Sequence, residues 1–273
     1  MLFNYIKIAI RSLVKKRVFS LLNISGLALG MSACLSIFYY VNYEFSFNKS
    51  FTESENIYRA YFSRQMEDGK FRVYKSPAAG LKVRLDDVPE IESSFRMANI
   101  DYQNNSIIYD GREGRKIIEQ TGVRFADADI QKTLSLELVS GSFESMNEPM
   151  KVVLSKEVAS KFFDPQDAIG KTISVSGNAG DNDYEIVGVI EDLPSNTTFS
   201  FSVLLSMPSM EKVEGVKIDD DWDNWRFRTY LKCALPIAKM NEVLKNHILE
   251  EDTFQSDETT WYQIEKFLLP IYD

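Results

Sequence analysis

From Val18 to Tyr43 the chain carries no Asp, Glu, Lys or Arg, an unbroken run of 26 residues. As a helix at about 1.5 Å per residue it would span about 39 Å. The hydrocarbon core of a bilayer is about 30 Å thick, so residues 18–43 are expected to form a transmembrane helix that crosses with some tilt. Lys7, Arg11, Lys15, Lys16 and Arg17 precede the run, and no acidic residue does. Positive charge flanking a first span marks the cytoplasmic side, which puts residues 1–17 inside and residues 44–273 outside. Within Asn4–Arg17, Ile6, Ile10, Leu13 and Val14 share one helical face, and Lys7, Arg11 and Lys15 follow at i, i+4 on another. That pattern predicts an amphipathic helix on the cytoplasmic membrane surface, with lipid as its partner.

The run is not uniformly bulky. Gly26 and Gly30 form a G-x-x-x-G step, and Ala28 and Ser32, also four apart, lie on a neighbouring stripe. Small residues at this spacing let two helices approach closely in lipid, where packing drives association. Tyr39, Tyr40, Tyr43, Phe45 and Phe47 mark the outer interface. A second reading of the same segment is a lipoprotein signal, with Met31-Ser32-Ala33 before Cys34. Against it, apolar sequence continues to Val41, whereas the apolar region of a signal runs about 7–15 residues.

Setting the five flanking cations aside leaves 26 basic residues of the chain's 31 against 40 acidic ones, a balance of −14. A domain of that charge is unsuited to nucleic acid, which demands basic patches that neutralise phosphates. The whole chain, N-terminal run included, has a mean hydropathy of only −0.21, so most of it reads as ordinary soluble protein with the apolar excess concentrated at the start. The chain has two cysteines, and with Cys34 in the span and Cys233 far along the chain no intramolecular disulfide is expected. His247 is the single histidine, so His-based metal clusters and multi-histidine chemistry are excluded, and the residue reads as a helix-surface position.

Beyond the span, Ile57–Gln65 and Phe71–Lys75 read as strands joined by an Asp68-Gly69 turn. Ser76-Pro77 is expected to open a short helix reaching Leu85. Ser94–Tyr102, Ser106–Tyr109 and Arg115–Phe125 read as strands, with a turn at Asp110-Gly111. Short helices are expected from Asp127 and over Ser155–Phe163. Thr172–Ser176 and Tyr184–Glu191 form a hairpin around a Gly177–Asp183 loop, and Phe199–Ser206 and Thr229–Ala234 add strands. Helices over Pro236–Glu250 and Asp257–Leu269 complete the pattern. Strands and helices mix without strict alternation, which predicts an α+β domain.

No catalytic motif emerges. Gly170-Lys171-Thr172 has the ending of a phosphate-binding loop, but Pro165 stands where its first glycine belongs and Thr172 opens a strand. Asp219, Asp221 and Asp223 have the 1-3-5 spacing of a calcium loop, yet Asn224 and Tyr230 occupy positions 6 and 12, where Gly and Glu are required. Asp127, Asp129 and Glu250-Glu251-Asp252 read as surface or helix-end charge. Neither a nucleophile elbow nor a singled-out carboxylate pair is present. No catalytic residue, cofactor site or metal site is assigned.

Asn4-Tyr5-Ile6-Lys7-Ile8-Ala9-Ile10-Arg11-Ser12-Leu13, Lys15-Lys16-Arg17 and Asn23-Ile24-Ser25-Gly26-Leu27-Ala28-Leu29-Gly30 resemble the start of MacB/FtsX-type ABC-transporter permeases, in the form common in Bacteroidetes. Tyr43-Glu44-Phe45-Ser46-Phe47-Asn48 and Asn56-Ile57-Tyr58-Arg59 resemble the exit from their first span. Val153-Leu154-Ser155, Ala168–Ile173 and Tyr184–Pro194 resemble their periplasmic core domain, and Trp222 with Thr229-Tyr230-Leu231 its later strand. The resemblance implies a mixed α+β periplasmic core over residues 44–273, in one or two subdomains. It further implies a non-catalytic subunit of the inner membrane with four spans, paired with a second permease copy. A cytoplasmic ABC ATPase would drive it, and periplasmic export, efflux or activation of a partner would be its output.

Two departures bear on this. The sequence reaches Leu268–Asp273 about where the resemblance implies a second span, so the expectation is a permease fragment or a truncated product. Phe163-Asp164 stands where the family usually has glycine after the aromatic, which affects a local turn. The alternative without transport is a membrane-tethered or lipid-anchored periplasmic binding module.

Overall fold

The computed structural model describes residues 2–65, 71–74, 79–99, 105–111, 114–177, 180–215, 217–219, 226–249 and 260–266. They fall into two units, Met1–Phe47 and Asn48–Asp273.

The first unit is helical. α1 (Leu2–Lys15) carries the amphipathic pattern, and α2 (Arg17–Phe45) carries the apolar run. Between them Lys16 leaves helical geometry, at φ −109° and ψ 55°. α2 has 29 residues with a mean hydropathy of 1.8 in its most apolar window, and is long and apolar enough to cross a membrane. Three of its polar side chains turn back onto their own helix. Ser25 Oγ donates to the Leu22 carbonyl (3.0 Å), Ser36 Oγ to Ser32 (2.8 Å) and Asn42 Nδ2 to Phe38 (2.8 Å). Such internal satisfaction is what hydrocarbon requires, since lipid offers no hydrogen-bond partner.

The second unit begins with β1 (Ile57–Gln65) and β2 (Phe71–Tyr74), an antiparallel hairpin, followed by α3 (Leu81–Asp86) and β3 (Ser93–Asn99). β4 (Asn105–Gly111), β5 (Gly114–Gln120) and β6 (Val123–Ala126) follow, then α4 (Ile130–Leu134), β7 (Leu138–Gly141), β8 (Lys151–Ser155) and α5 (Lys156–Ser160). The hairpin of β9 (Thr172–Gly177) and β10 (Gly180–Ile190) precedes β11 (Val203–Ser206), α6 (Met207–Glu214), β12 (Phe227–Lys232), α7 (Ile237–Leu249) and β13 (Thr260–Lys266). The strands form one sheet in the order β13-β1-β12-β3-β6-β11-β8-β10-β9-β4-β5, with β2 also on β1 and β7 on β10. Among the described residues, β6–β11 and β8–β10 are the pairs that run parallel.

The parallel strands sit mid-sheet and are largely apolar where both faces are covered, β10 only over residues 186–190. Val203, Leu205, Val152, Leu154 and Phe125 share one face and pack with Met207 and Met210 of α6 and Val158 of α5. Leu204, Val153, Ala126 and Met97 share the other face, against Ile130 and Leu134 of α4. A third cluster joins Leu81 and Leu85 of α3 to Met240 and Leu244 of α7 over β1 and β12. This is the α+β architecture expected from the sequence.

Several expectations need correction. Arg115–Phe125 is not one strand: it breaks at Thr121-Gly122 into β5, at the sheet edge, and β6, in the interior. Gly122 at φ +77° makes the break, a conformation costly for any residue with a Cβ. The helix expected over Asp257–Leu269 is instead β13, paired antiparallel with β1 from Tyr58↔Lys266 to Arg64↔Thr260. Thr260, Trp261, Tyr262 and Ile264 favour a strand once a partner edge is offered. β7 and β8 were not expected at all. Pairing also continues to Gly177↔Gly180, through what reads as a loop, and β4 extends across Asp110-Gly111. Asp68-Gly69 and Ser76-Pro77 lie outside the described residues.

Candidate functional site

Three places concentrate what a membrane-anchored domain of this kind could use: the small-residue stripe of α2, the chain's entry into the domain, and a buried ion network on β3.

Gly26, Ala28, Gly30 and Ser32 all lie on α2 and are exposed. A Cβ built on Gly26 or Gly30 would meet nothing within 4 Å, so no described part of the chain fills that stripe. Lys7, Arg11 and Lys15 sit on α1, Lys16 at the break and Arg17 at the start of α2, all exposed. Arg17 Nε donates to the Val14 carbonyl (3.3 Å). Cys34 is exposed on α2, within an unbroken helix, and Cys233 is buried; neither is in a disulfide.

The entry is built around Asn48, which is fully buried and left-handed at φ 59°. Asparagine tolerates that conformation better than other non-glycine residues. Its N–H donates to the Asn196 carbonyl (2.9 Å). Its Oδ1 accepts from the Thr198 N–H (2.9 Å), Thr197 Oγ1 (3.0 Å) and Thr198 Oγ1 (3.3 Å). Phe51 then packs edge-on against Phe199, with ring centroids 5.5 Å apart, and Phe199 meets Phe95 and Tyr230 of the core. Four hydrogen bonds and an aromatic cluster thus pin residues 48–51 to the 196–199 loop.

On β3, Arg96 is buried between apolar neighbours. Its Nη2 donates to Asp127 Oδ1 (2.9 Å), its Nε to Asp127 Oδ2 (3.0 Å), and its Nη1 to Asp219 Oδ1 (2.9 Å) and the Ala79 carbonyl (3.0 Å). The Arg96 N–H also binds Asp127. Burial alone would lower the Arg96 pKa, but the charge and hydrogen bonds of Asp127, then of Asp219, hold it above the ordinary arginine value. Lys82 of α3 pairs with Asp86 and Asp129 (3.2 Å to the latter). Burial opposes its charge too, and Asp127 and Asp86 outweigh that and raise its pKa. The network lines a cavity of about 290 Å³ with Met146, Met207 and Ile218. Its cations and carboxylates satisfy one another, so it fastens α3, β3 and the 127–129 and 217–219 segments together.

The two motif fragments stay inert. Gly170 N–H donates to the Ile186 carbonyl (2.8 Å), Lys171 Nζ sits 4.4 Å from the Phe163 ring centroid, and Thr172 opens β9. No phosphate cradle forms. Asp219 is committed to Arg96, and Asp221, Asp223 and Trp222 lie outside the described residues. Among the described residues no three His, Cys, Asp or Glu side chains gather as metal ligands would. Asp127, expected from the sequence as surface or helix-end charge, is instead buried in its ion pair with Arg96, and the sequence context of Asn48, Arg96 and Lys82 gives them no role. Only the position of Arg96 between Phe95 and Met97 hints at a charge carried into a core strand.

A long apolar helix leading into a mixed α+β domain with a charge-locked interior defines a membrane-anchored domain. The MacB-like periplasmic core domain model matches residues 20–237, and the chain belongs to that family. Its sheet is similar to a solved domain assigned to a permease of Porphyromonas gingivalis, at 19% identity and TM-score 0.62, over 82% of this chain and 94% of that one. It is also similar to the periplasmic region of MacB from Actinobacillus actinomycetemcomitans, at 13% identity and TM-score 0.52, over 78% of this chain and 90% of that one. No curated protein sequence matches the chain. Family membership makes this an ABC-transporter permease-type protein.

Proposed function

We propose that the chain is the N-terminal part of a permease subunit that couples cytoplasmic ATP hydrolysis to work in the periplasm. The observation that carries this is the extent of the family match: it begins inside α2 and runs to residue 237, so helix and domain belong to one inherited unit. The basic flank, Lys7 to Arg17, favours a cytoplasmic N-terminus. The partners in this reading are a cytoplasmic ABC ATPase and a second permease copy, met through the Gly26/Gly30 stripe with Ala28 and Ser32 beside it. The output is mechanical. A rigid-body change started at the ATPase reaches the periplasmic domain, which moves a substrate or activates a partner outside the bilayer. The pinning of residues 48–51 supports this, because displacement of the chain at Asn48 is passed to the 196–199 loop and the core behind it.

The test is purification of the native protein from its own membranes through an N-terminal tag. ATP hydrolysis should co-purify, and the double substitution Gly26→Leu, Gly30→Leu should lower the yield of the intact complex. A wild-type preparation without ATPase, or an unchanged yield from the double variant, would contradict the reading.

A further inference from the structure

A cleft of about 460 Å³ opens where β6, the start of α5 and the 192–202 segment meet. Arg124 of β6 lies in it, half-buried, on the same sheet face as its β11 partner Leu204. Its Nη1 donates to the Val123 carbonyl (2.8 Å), and its Nη2 reaches Ser200 Oγ only at 3.5 Å. A guanidinium has five N–H donors, so three have no acceptor among the described residues. Among the described residues no carboxylate pairs with it. Burial lowers the Arg124 pKa, and the nearby Arg228 lowers it further. In a chain with 40 acidic residues against 31 basic ones, Arg124 is thus left without a carboxylate partner among the described residues. A half-buried cation without a counter-charge costs electrostatic energy that an anion would relieve.

The rest of the lining supplies hydrogen-bond donors. The Thr121, Ser155 and Ser200 hydroxyls donate to no acceptor among the described residues, although Ser155 Oγ accepts the Val158 N–H at the start of α5. The two carboxylates in the cleft are engaged at its α5 side. Asp192 Oδ1 accepts the Glu157 N–H (2.9 Å), and Glu157 Oε1 pairs with Lys161 Nζ (2.9 Å). A planar carboxylate would use the guanidinium fork alone. A tetrahedral anion with three or four oxygens would use the fork and the hydroxyls together.

We propose that the Arg124 cleft binds a phosphate-type oxyanion, with Arg124 as its charged anchor and the Ser200, Thr121 and Ser155 hydroxyls as further donors. The phosphate comes from a lipid headgroup or from a soluble phosphate ester. The site stands on the domain alone and goes beyond the coupling function. The lipid source is worth testing because Thr197, which also lines the cleft, hydrogen-bonds Asn48, three residues past the end of α2.

The full chain in neutral detergent at low salt is titrated with inorganic phosphate and with glycerol phosphate by calorimetry. In parallel, its thermal midpoint is measured in phosphatidylcholine nanodiscs with and without phosphatidylglycerol. Saturable binding is expected, weakened at least tenfold in Arg124→Gln and several-fold in Ser200→Ala, and unchanged in Arg115→Gln on the exposed edge strand β5. A lipid source predicts a midpoint raised by phosphatidylglycerol in the wild type but not in Arg124→Gln. A soluble source predicts tighter binding of glycerol phosphate than of phosphate, with no lipid dependence. Should Arg124→Gln fail to fold, Arg124→Lys and Ser200→Ala carry the comparison. The proposal is overturned by a wild type that responds to neither probe, or by cleft variants that respond as the wild type does.

Discussion

Arg96 and its two carboxylates show how burial decides what an ion pair is worth. The Arg96 and Asp127 side chains are 5% and 11% exposed, while Asp219 is 65% exposed. Removing one partner of a buried pair strands a charge and costs about 3–5 kcal/mol, whereas an exposed partner is worth about 0–1 kcal/mol. Asp127→Ala should therefore lower unfolding stability in urea by about 3 kcal/mol or more, and Asp219→Ala by no more than about 1 kcal/mol. Equal losses would mean that Arg96 is not anchored as described. Asn48→Ala removes an acceptor used by three donors, two of them on Thr198. With about 1–3 kcal/mol per buried donor left unsatisfied, it should destabilise the domain measurably. At this scale the sequence said little. A buried Arg among apolar residues and an Asn in a polar exit segment have the same local signature as solvated ones, and only the fold brings residues 96 and 127, or 48 and 198, together.

Elements were legible where their causes are local. α1, α2 and the hairpins β1–β2 and β9–β10 follow from charge, periodicity and turn residues within a few positions of each other. β13 was misread because its strand state depends on the edge of β1, some 200 residues away in sequence. β6 was fused to β5 because the consequence of Gly122 is invisible until the strand on each side finds a different partner. Gly122→Ala tests this. Its Cβ would stand 3.0 Å from the Ser200 carbonyl oxygen at a backbone angle of +77°. The strain should cost about 1–3 kcal/mol, and an unchanged urea midpoint would mean the kink tolerates a side chain. In α2 the opposite holds. Gly26→Leu and Gly30→Leu meet nothing in the described chain, so they should leave domain stability unchanged while weakening association between helices.

Across the whole molecule, folding also fixes ionisation. Burial raises the Tyr184 phenol to about 12 from an ordinary 10.0, so the folded domain keeps that proton longer than the unfolded chain does. Its contribution to stability is complete below pH 10 and is lost as the pH rises toward 12. Tyr184→Phe should flatten the decline of the urea midpoint across that window, and an identical decline would exclude Tyr184 as a cause. The α+β class and the family were readable from the order of many short motifs along the chain. The Arg124 cleft was not, since its residues come from β6, α5 and the 192–202 segment. The central claim, that this domain moves when ATP is hydrolysed on the other side of the membrane, is tested most directly by a distance. The protein in its native complex carries a spin label at Glu119→Cys on exposed β5, with Cys34→Ser to leave only buried Cys233 unlabelled. The label-to-label distance between the two permease copies proposed above is read with and without ATP. The account predicts a distribution that shifts with ATP and returns after hydrolysis. A distribution that stays the same while ATP turns over would contradict it.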